Sequence, residues 1–277
     1  MKRLIGAAFL LLAFSDAGLA QELYVFSEPA SNLPARSISA KLTTRFAERS
    51  GTDQFRQRFM PEIMAGINKN WMVKMGTTFS NFYQSGQEWE SIKGYAKWRF
   101  YSNDGIHRHF RIAAFADAAY SKQDVLFDEM NLDGDNSGIQ AGIIGTQLLH
   151  KLAISGTASY MRVFDSKFKD MPGMHDEDGL AYSLSAGYLV FPRSYASYEQ
   201  VNLNLYVEML GMKGFGPGMY YLDVAPAIQL IFNSSTKLNL GARWEATGNM
   251  YRIARNNYFL SLETTFLNAL KKRPRRE

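Results

Sequence analysis

Residues 200–210, Gln-Val-Asn-Leu-Asn-Leu-Tyr-Val-Glu-Met-Leu, alternate apolar and polar side chains along their length. The two alternating sets are Val201, Leu203, Leu205, Val207 and Met209 against Asn202, Asn204, Tyr206 and Glu208. Because successive side chains of a β-strand point to opposite faces, this stretch predicts a strand with one apolar and one polar face. Such a strand belongs to a sheet that separates two different solvents.

The same alternation recurs in residues 178–191 and 258–267. Repeated alternating segments of about ten residues, separated by turn-forming stretches, are typical of transmembrane β-barrels. We therefore predict an all-β fold, a transmembrane antiparallel up-and-down β-barrel of about 12 strands spanning residues 36–267. The predicted strands are 36–46, 57–67, 71–81, 89–101, 109–121, 138–148, 152–163, 179–191, 200–212, 219–232, 236–247 and 257–267.

The amino terminus resembles an export signal. Lys2 and Arg3 precede an apolar run from Leu4 to Phe14, and small residues at 18–20 predict cleavage before Gln21. We expect residues 1–20 to be a signal peptide, since their apolar core is too short to span a bilayer as a helix. The chain has no cysteine, which excludes disulfides and a lipid-modified cysteine anchor.

The predicted connections alternate in length. Short links at 68–70, 150–151 and 233–235, with somewhat longer ones at 102–108 and 192–199 in the same set, alternate with longer, acidic segments such as 122–137 and 164–178. Short turns face the periplasm and long loops face outward in such barrels, so an even strand count predicts that both termini lie in the periplasm. The barrel itself is predicted to lie in the cell outer membrane. Residues 21–35 then form a periplasmic arm lying in or beneath the lumen, and residues 268–277 form a basic periplasmic tail.

Two local features bear on this assignment of strands. Pro61 and Pro226 fall within predicted strands, where proline cannot donate to the ladder, so each implies a bulge or a misplaced boundary. The last strand ends in Phe266 after an alternating apolar row, which resembles the carboxyl-terminal signal read by the barrel assembly machinery.

The polar face of the strands predicts a charged lumen, basic over the early strands and mainly acidic over the late ones. The charges either select solutes in an open pore or pair across the interior and close it, because unpaired buried charge is costly. Pairing of the last strand with the first would place Glu263 near Lys41 and Arg45. The candidate pore-lining residues are Lys41, Arg45, Lys93, Lys97, Arg99, Glu208, Asp223, Arg243, Glu245 and Glu263.

Residues 133–138, Asp-Gly-Asp-Asn-Ser-Gly, match the head of an oxygen-ligand calcium loop. Asp133, Asp135 and Ser137 stand at the ligand positions, but Ile144 occupies the twelfth place, where a bidentate glutamate is needed. A polar turn is one interpretation and weak Ca²⁺ binding is the other. We expect no other cofactor.

Hydrolase motifs of known barrel enzymes are missing from the sequence. None of His107, His109, His150 and His175 is followed two places later by serine, as in outer-membrane phospholipase A. The pair His175-Asp176 lies in a predicted loop without the preorganised geometry of an omptin-like protease. The net charge of +5 does not indicate nucleic-acid binding, because basic and aromatic residues occupy opposite strand faces. We expect a protein that is not an enzyme.

With residues 22–31 and 131–151, these features resemble uncharacterised outer-membrane barrels of Bacteroidota and, more distantly, transporter-like barrels of the phenol-degradation MetA family. The resemblance implies passage of small molecules, hydrophobic ones among them. We therefore expect a porin-like channel or transporter for a small-molecule solute, embedded in outer-membrane lipids and working by passive or facilitated passage. The alternative is a closed structural or adhesion barrel that binds a partner through its extracellular loops.

Overall fold

The structure is a computed structural model that describes residues 24, 26–51, 54–106, 108–123, 127–164, 176–192, 200–216 and 218–271. The predicted signal peptide, the first residues of the arm, the end of the basic tail, His107 and His175 lie outside this part of the chain.

Twelve antiparallel strands form one closed barrel in which each strand pairs with its neighbours in sequence and β1 also pairs with β12. The strands are β1 Ser37–Glu48, β2 Phe55–Gly66, β3 Trp71–Ser80, β4 Glu88–Asp104, β5 Arg108–Ser121, β6 Ser137–Leu149, β7 Leu152–Phe164, β8 Asp178–Phe191, β9 Asn202–Gly214, β10 Tyr220–Phe232, β11 Thr236–Gly248 and β12 Asn257–Phe266. The predicted fold and strand number are confirmed.

The alternation in residues 200–210 corresponds to the two sides of the barrel wall. Leu205 and Val207 are exposed on the outer surface, whereas Asn204 and Glu208 are buried in the lumen. On β12, Leu262 is exposed and Ser261 is buried in the same way. The barrel is therefore inverted relative to a water-soluble protein, with an apolar outer surface and a polar interior.

Pro61 and Pro226 cause no bulge of the kind expected. Both remain inside strands, Pro61 opposite Leu42 and Pro226 opposite Val207, and the register is the same immediately before and after each proline; the β10–β11 register shifts only farther away, between Leu222 and Asp223. The paired positions next to each proline are missing on the side of the following strand, toward β3 and β11. Because proline has no N–H group to donate, backbone hydrogen bonds are missing on one side of each proline. The strand register nevertheless stays the same.

The two ends of the barrel differ. One end, which we call the turn end, holds the start of β1, the end of β12, the short links at 67–70, 105–107, 150–151 and 233–235, and one longer connection at 192–201. The other, the loop end, holds the connections at 49–54, 81–87, 122–136, 165–177, 215–219 and 249–256, which are mostly longer. No helix long and apolar enough to cross a membrane occurs among the residues described above.

Candidate functional site: the lumen

The arm, here residues 24 and 26–35, enters the lumen from the turn end. The arm extends into the lumen as far as Phe26, whose ring centroid lies 5.7 Å from the guanidinium carbons of both Arg45 and Arg243. Tyr24 packs against Tyr206 and Phe259 in a buried cluster. The arm therefore occupies the lumen between the turn end and the middle of the barrel.

Glu208 binds the arm through its backbone. Its carboxylate accepts hydrogen bonds from the N–H groups of Phe26 and Ser27, at 3.0 and 2.8 Å, and from the Ser27 hydroxyl at 2.6 Å. Ser185 Oγ lies 2.7 Å from Ser27 Oγ and completes the contact. A fully buried carboxylate thus finds three donors on one short segment, which offsets the cost of its burial.

Glu28 anchors the arm on the opposite wall. Its carboxylate lies 3.0 Å from Lys74 Nζ and 3.5 Å from Lys97 Nζ, and Lys97 also donates to the carbonyl oxygens of Pro29 and Ser31 at 2.8 Å each. Burial alone would raise the pKa of the Glu28 carboxyl, but the two ammonium groups outweigh it and hold that pKa well below its usual range. The arm therefore carries a charge that neutralises part of the basic early wall.

The inner loop, residues 127–136 between β5 and β6, folds into the barrel from the loop end. Asp133 Oδ2 lies 3.0 Å from Arg45 Nη2, and Asp133 Oδ1 is paired with Lys93. Asp135 is held by Arg58 and by the Tyr83 hydroxyl, which donates to it at 2.8 Å. Burial opposes ionisation of Asp133, but Lys93 and Arg45 lower the pKa of its carboxyl below the ordinary value.

Gly134 permits this close approach. Its φ of +130° is a conformation that L side chains rarely adopt, and a Cβ there would meet Glu90 Oε2 at 2.7 Å. The Asp-Gly-Asp sequence thus presents two carboxylates to the lumen wall.

The candidate calcium ligands Asp133, Asp135 and Ser137 have partners within the protein. Asp133 and Asp135 bind cationic side chains, and the Ser137 hydroxyl interacts with the backbone of Ser121. Within the described ranges, no group of three or more histidine, aspartate or glutamate side chains is arranged to hold a metal ion.

A third ion-pair cluster lies near the loop end. The guanidinium of Arg252 donates to both carboxylate oxygens of Asp223 at 2.7 and 2.8 Å, and reaches Glu129 at 3.1 Å and Glu245 at 3.3 Å. Arg243 Nε lies 2.5 Å from Asp223 Oδ2. The loop that carries Arg252 is thereby tied to strands β10 and β11 and to the inner loop.

Between the arm and the inner loop lies a chamber of about 270 Å³. Its wall combines charged, hydroxyl and aromatic side chains, with Phe26, Ser27 and Glu28 of the arm on one side and residues 129–133 of the inner loop on the other. We call this space the central chamber. It is large enough for a small solute and is bounded by both inserted segments.

The predicted pore-lining residues fall into five groups. Lys41, Arg45, Lys93 and Arg243 line the central chamber, and Lys97 and Glu208 hold the arm. Asp223 and Glu245 bind Arg252 toward the loop end, while Arg99 donates to the Lys69 carbonyl at the turn end. Glu263 lies directly opposite Lys41 in the β1–β12 register, and its carboxylate accepts from Ser39 at 2.9 Å and lies 3.5 Å from Lys237. Their role in solute passage stays a prediction.

The partners of these residues were not found by sequence reasoning. All five lie outside the strands: Glu28 in the predicted arm, Glu129, Asp133 and Asp135 in the predicted segment 122–137, and Arg252 in the connection between β11 and β12. One signal pointed to them: the basic excess on the inner face of the early strands needs buried anions, and the arm and the inner loop carry acidic residues.

Comparison with known proteins supports the fold. No protein-family model and no curated protein sequence matches the chain. An outer membrane channel from Pseudomonas putida F1 superposes with a TM-score of 0.59 at 10% identity, covering 88% of this chain and 100% of that one. The KdgM porin gives a TM-score of 0.47 at 11% identity, covering 82% and 99% of the two chains. The β domain of the Bordetella autotransporter BrkA gives 0.47 at 13% identity, covering 83% and 99%. The superposition on the Pseudomonas putida channel, with a TM-score of 0.59, supports the assignment of this fold to outer-membrane β-barrels and, at 10% identity, shows the fold alone.

Proposed function

We propose that the protein is an outer-membrane channel for small solutes, working by passive or facilitated passage. The central chamber is the observation that carries this proposal, since it lies on the barrel axis and has charged and hydroxyl groups on its wall. The exposed apolar outer surface fits contact with outer-membrane lipids. By the general orientation of such barrels, the turn end faces the periplasm and the loop end faces outward.

In this proposal the lumen is gated. The arm lies between the chamber and the turn end, and the inner loop lies between the chamber and the loop end. Both are held by ion pairs and hydrogen bonds rather than by covalent links, so a solute passes when one or both segments are displaced. Charged side chains on the chamber wall then set the selectivity, as they do in other pores.

The finer assignments belong to the same proposal. A kinship with Bacteroidota barrels and with the phenol-degradation MetA family would favour small, partly hydrophobic solutes. Insertion by the barrel assembly machinery fits the apolar row that ends at Phe266, which is exposed on the outer surface. We infer no catalytic role, and bound Ca²⁺ at the inner loop would have to displace the cations that hold Asp133 and Asp135.

A closed structural or adhesion barrel is the second candidate. Crossed ion pairs favour it, because Glu28 and Asp133 link the two inserted segments to the barrel wall and Arg252 links the β11–β12 connection to it. Such a barrel would bind a partner through its extracellular loops and conduct nothing.

Single-channel recording of the refolded protein in a planar bilayer distinguishes the two candidates. We expect a small conductance in the wild type that increases when the arm is released by Glu208→Gln. Silence of both proteins, when both are folded, would contradict the channel and favour the closed barrel.

A further inference from the structure

One wall of the central chamber differs from the rest. Strands β5 to β8 present Asp117, Gln140, Ser159, Thr157 and Ser183, which we call the polar strip. Asp117 lies opposite Gln140 and Thr157 lies opposite Ser183 in the strand registers, and the Gln140 amide donates to Ser159 Oγ at 2.7 Å. The strip is therefore one continuous surface of a carboxylate, an amide and hydroxyls.

Two atoms of the polar strip have unused hydrogen-bonding capacity. Asp117 Oδ1 and Thr157 Oγ1 are buried and have no hydrogen-bonding partner among the described residues. Buried polar atoms are normally hydrogen-bonded, because leaving them without a partner costs free energy. Both atoms belong to side chains that line the chamber, where a bound solute can supply the missing partners.

The charges of the chamber show which sign of solute fits. The carboxylates of Glu28, Glu62, Glu129 and Asp133 each have a cationic side chain within 4.0 Å. Asp117 has none within that distance in the part of the chain that the structure describes.

Each cationic side chain of the chamber is likewise paired with a carboxylate. Lys41, Lys74, Arg45, Lys93 and Arg243 each have a carboxylate within 4.0 Å. An anionic solute must therefore compete with a resident carboxylate at each cation, whereas an ammonium group meets a carboxylate without an ion pair.

Resting on the proposed function, we infer that the central chamber binds a small hydroxylated ammonium compound through the polar strip. The ammonium group donates to the Asp117 carboxylate, and hydroxyls of the solute exchange hydrogen bonds with Thr157, Ser159 and Ser183. The chamber volume of about 270 Å³ limits the solute to roughly the size of one monosaccharide. Asp117 is the specificity-determining residue in this assignment.

Calorimetric titration of the refolded full-length protein in detergent micelles tests the assignment. The probes are glucosamine, glucose and N-acetylglucosamine, because only the first carries an ammonium group. We expect glucosamine to bind and the two neutral sugars to bind at least about tenfold more weakly, as for loss of a charged hydrogen bond.

Variants localise the binding. Asp117→Asn should weaken glucosamine binding by about tenfold and leave glucose unchanged, and Thr157→Val should weaken it by a smaller factor without removing a charge. The matched control is Asp178→Asn, whose carboxylate pairs with Arg162 outside the chamber. Equal binding of the three sugars, no detectable glucosamine binding, or unchanged glucosamine affinity in Asp117→Asn would overturn the inference.

Liposome swelling in glucose distinguishes failure of the ammonium site from failure of the channel. Swelling without preferential glucosamine binding leaves the channel standing and removes the ammonium site. Glucosamine binding that depends on Asp117, without any swelling, supports the site and removes passive passage.

Discussion

Glu208 shows how one residue serves the interior of this barrel. It is fully buried, yet its carboxylate interacts with three donors of the arm and lies 3.2 Å from the Ser185 hydroxyl. Hydrogen bonds to a charged group contribute about 1.5–3 kcal/mol each, so this contact is strong relative to the size of the arm.

Glu208→Gln should release the arm. The amide has one acceptor oxygen instead of two, and its NH₂ group faces the N–H groups of Phe26 and Ser27. We expect a several-fold increase in single-channel conductance, measured in planar bilayers. Glu88→Gln is the control, since its pair with Lys122 is exposed at the loop end. An unchanged conductance in Glu208→Gln would show that the arm is not the barrier.

Glu263 tests the difference between buried and exposed pairs. Glu263→Gln removes a buried carboxylate that lies 3.5 Å from Lys237 Nζ, so we expect a loss of about 1–3 kcal/mol in the free energy of unfolding. Urea unfolding in lipid vesicles measures it. Glu88→Gln should cost about 0–1 kcal/mol, and equal losses in the two variants would contradict our view of the lumen.

At the scale of elements, the arm and the inner loop are the parts that decide whether the lumen conducts. Neither contributes a strand to the barrel; the arm contacts β9 and β3 on opposite walls of the lumen, and the inner loop contacts β1 and β11. Their positions depend on a few polar contacts, while the barrel wall depends on twelve ladders that close on themselves.

A reversible cross-link tests whether the arm must move. The chain has no cysteine, and the hydroxyls of Ser27 and Ser185 lie 2.7 Å apart, so Ser27→Cys with Ser185→Cys places two thiols in contact. We expect the oxidised form to stay at low conductance and reduction to raise it. Thr236→Cys with Thr264→Cys, across β11 and β12, is the control, because it links two neighbouring strands only. If both oxidised proteins conduct alike, the arm does not gate the lumen.

Acidification should leave the inner loop docked until the pH is low. The pKa of Asp133 is lowered in the folded protein by Lys93 and Arg45, so its stabilising contribution is present above the unfolded value and is lost as pH falls through the lower, folded value. Any conductance due to release of this contact should therefore appear only below about pH 4, the ordinary value for aspartate. Bilayer recordings from pH 7 to pH 3 measure it, with Asp133→Asn expected to conduct more already at pH 7.

At the scale of the whole molecule, the outer surface defines how the barrel sits in a bilayer. Leu262 lies opposite Leu42 and Leu238 in the neighbouring strands; Leu262 and Leu42 are exposed on the apolar outer surface and Leu238 is half-buried. Phe266 lies at the end of the same strand.

Arginine substitutions should report how deep Leu262 and Phe266 lie in the bilayer. Leu262→Arg should cost about 2–4 kcal/mol in unfolding free energy, because it places a charge in the hydrocarbon region, and Phe266→Arg about 0–1 kcal/mol near the interface. Unfolding titrations in lipid vesicles measure both. Equal costs at the two positions would show that Leu262 does not lie at the middle of the apolar outer surface.

The sequence by itself determined the barrel. Alternation such as that in residues 200–210 assigns each side chain to one face, and a one-residue slip would expose Glu208 to lipid, so strand number and facing follow from local pattern. Glu28, Asp133 and Arg252 carry no such periodicity, because they lie on segments without a repeating geometry. Only the tertiary structure decided that these segments fold inward, since their positions come from charges on distant strands that meet once the barrel has closed.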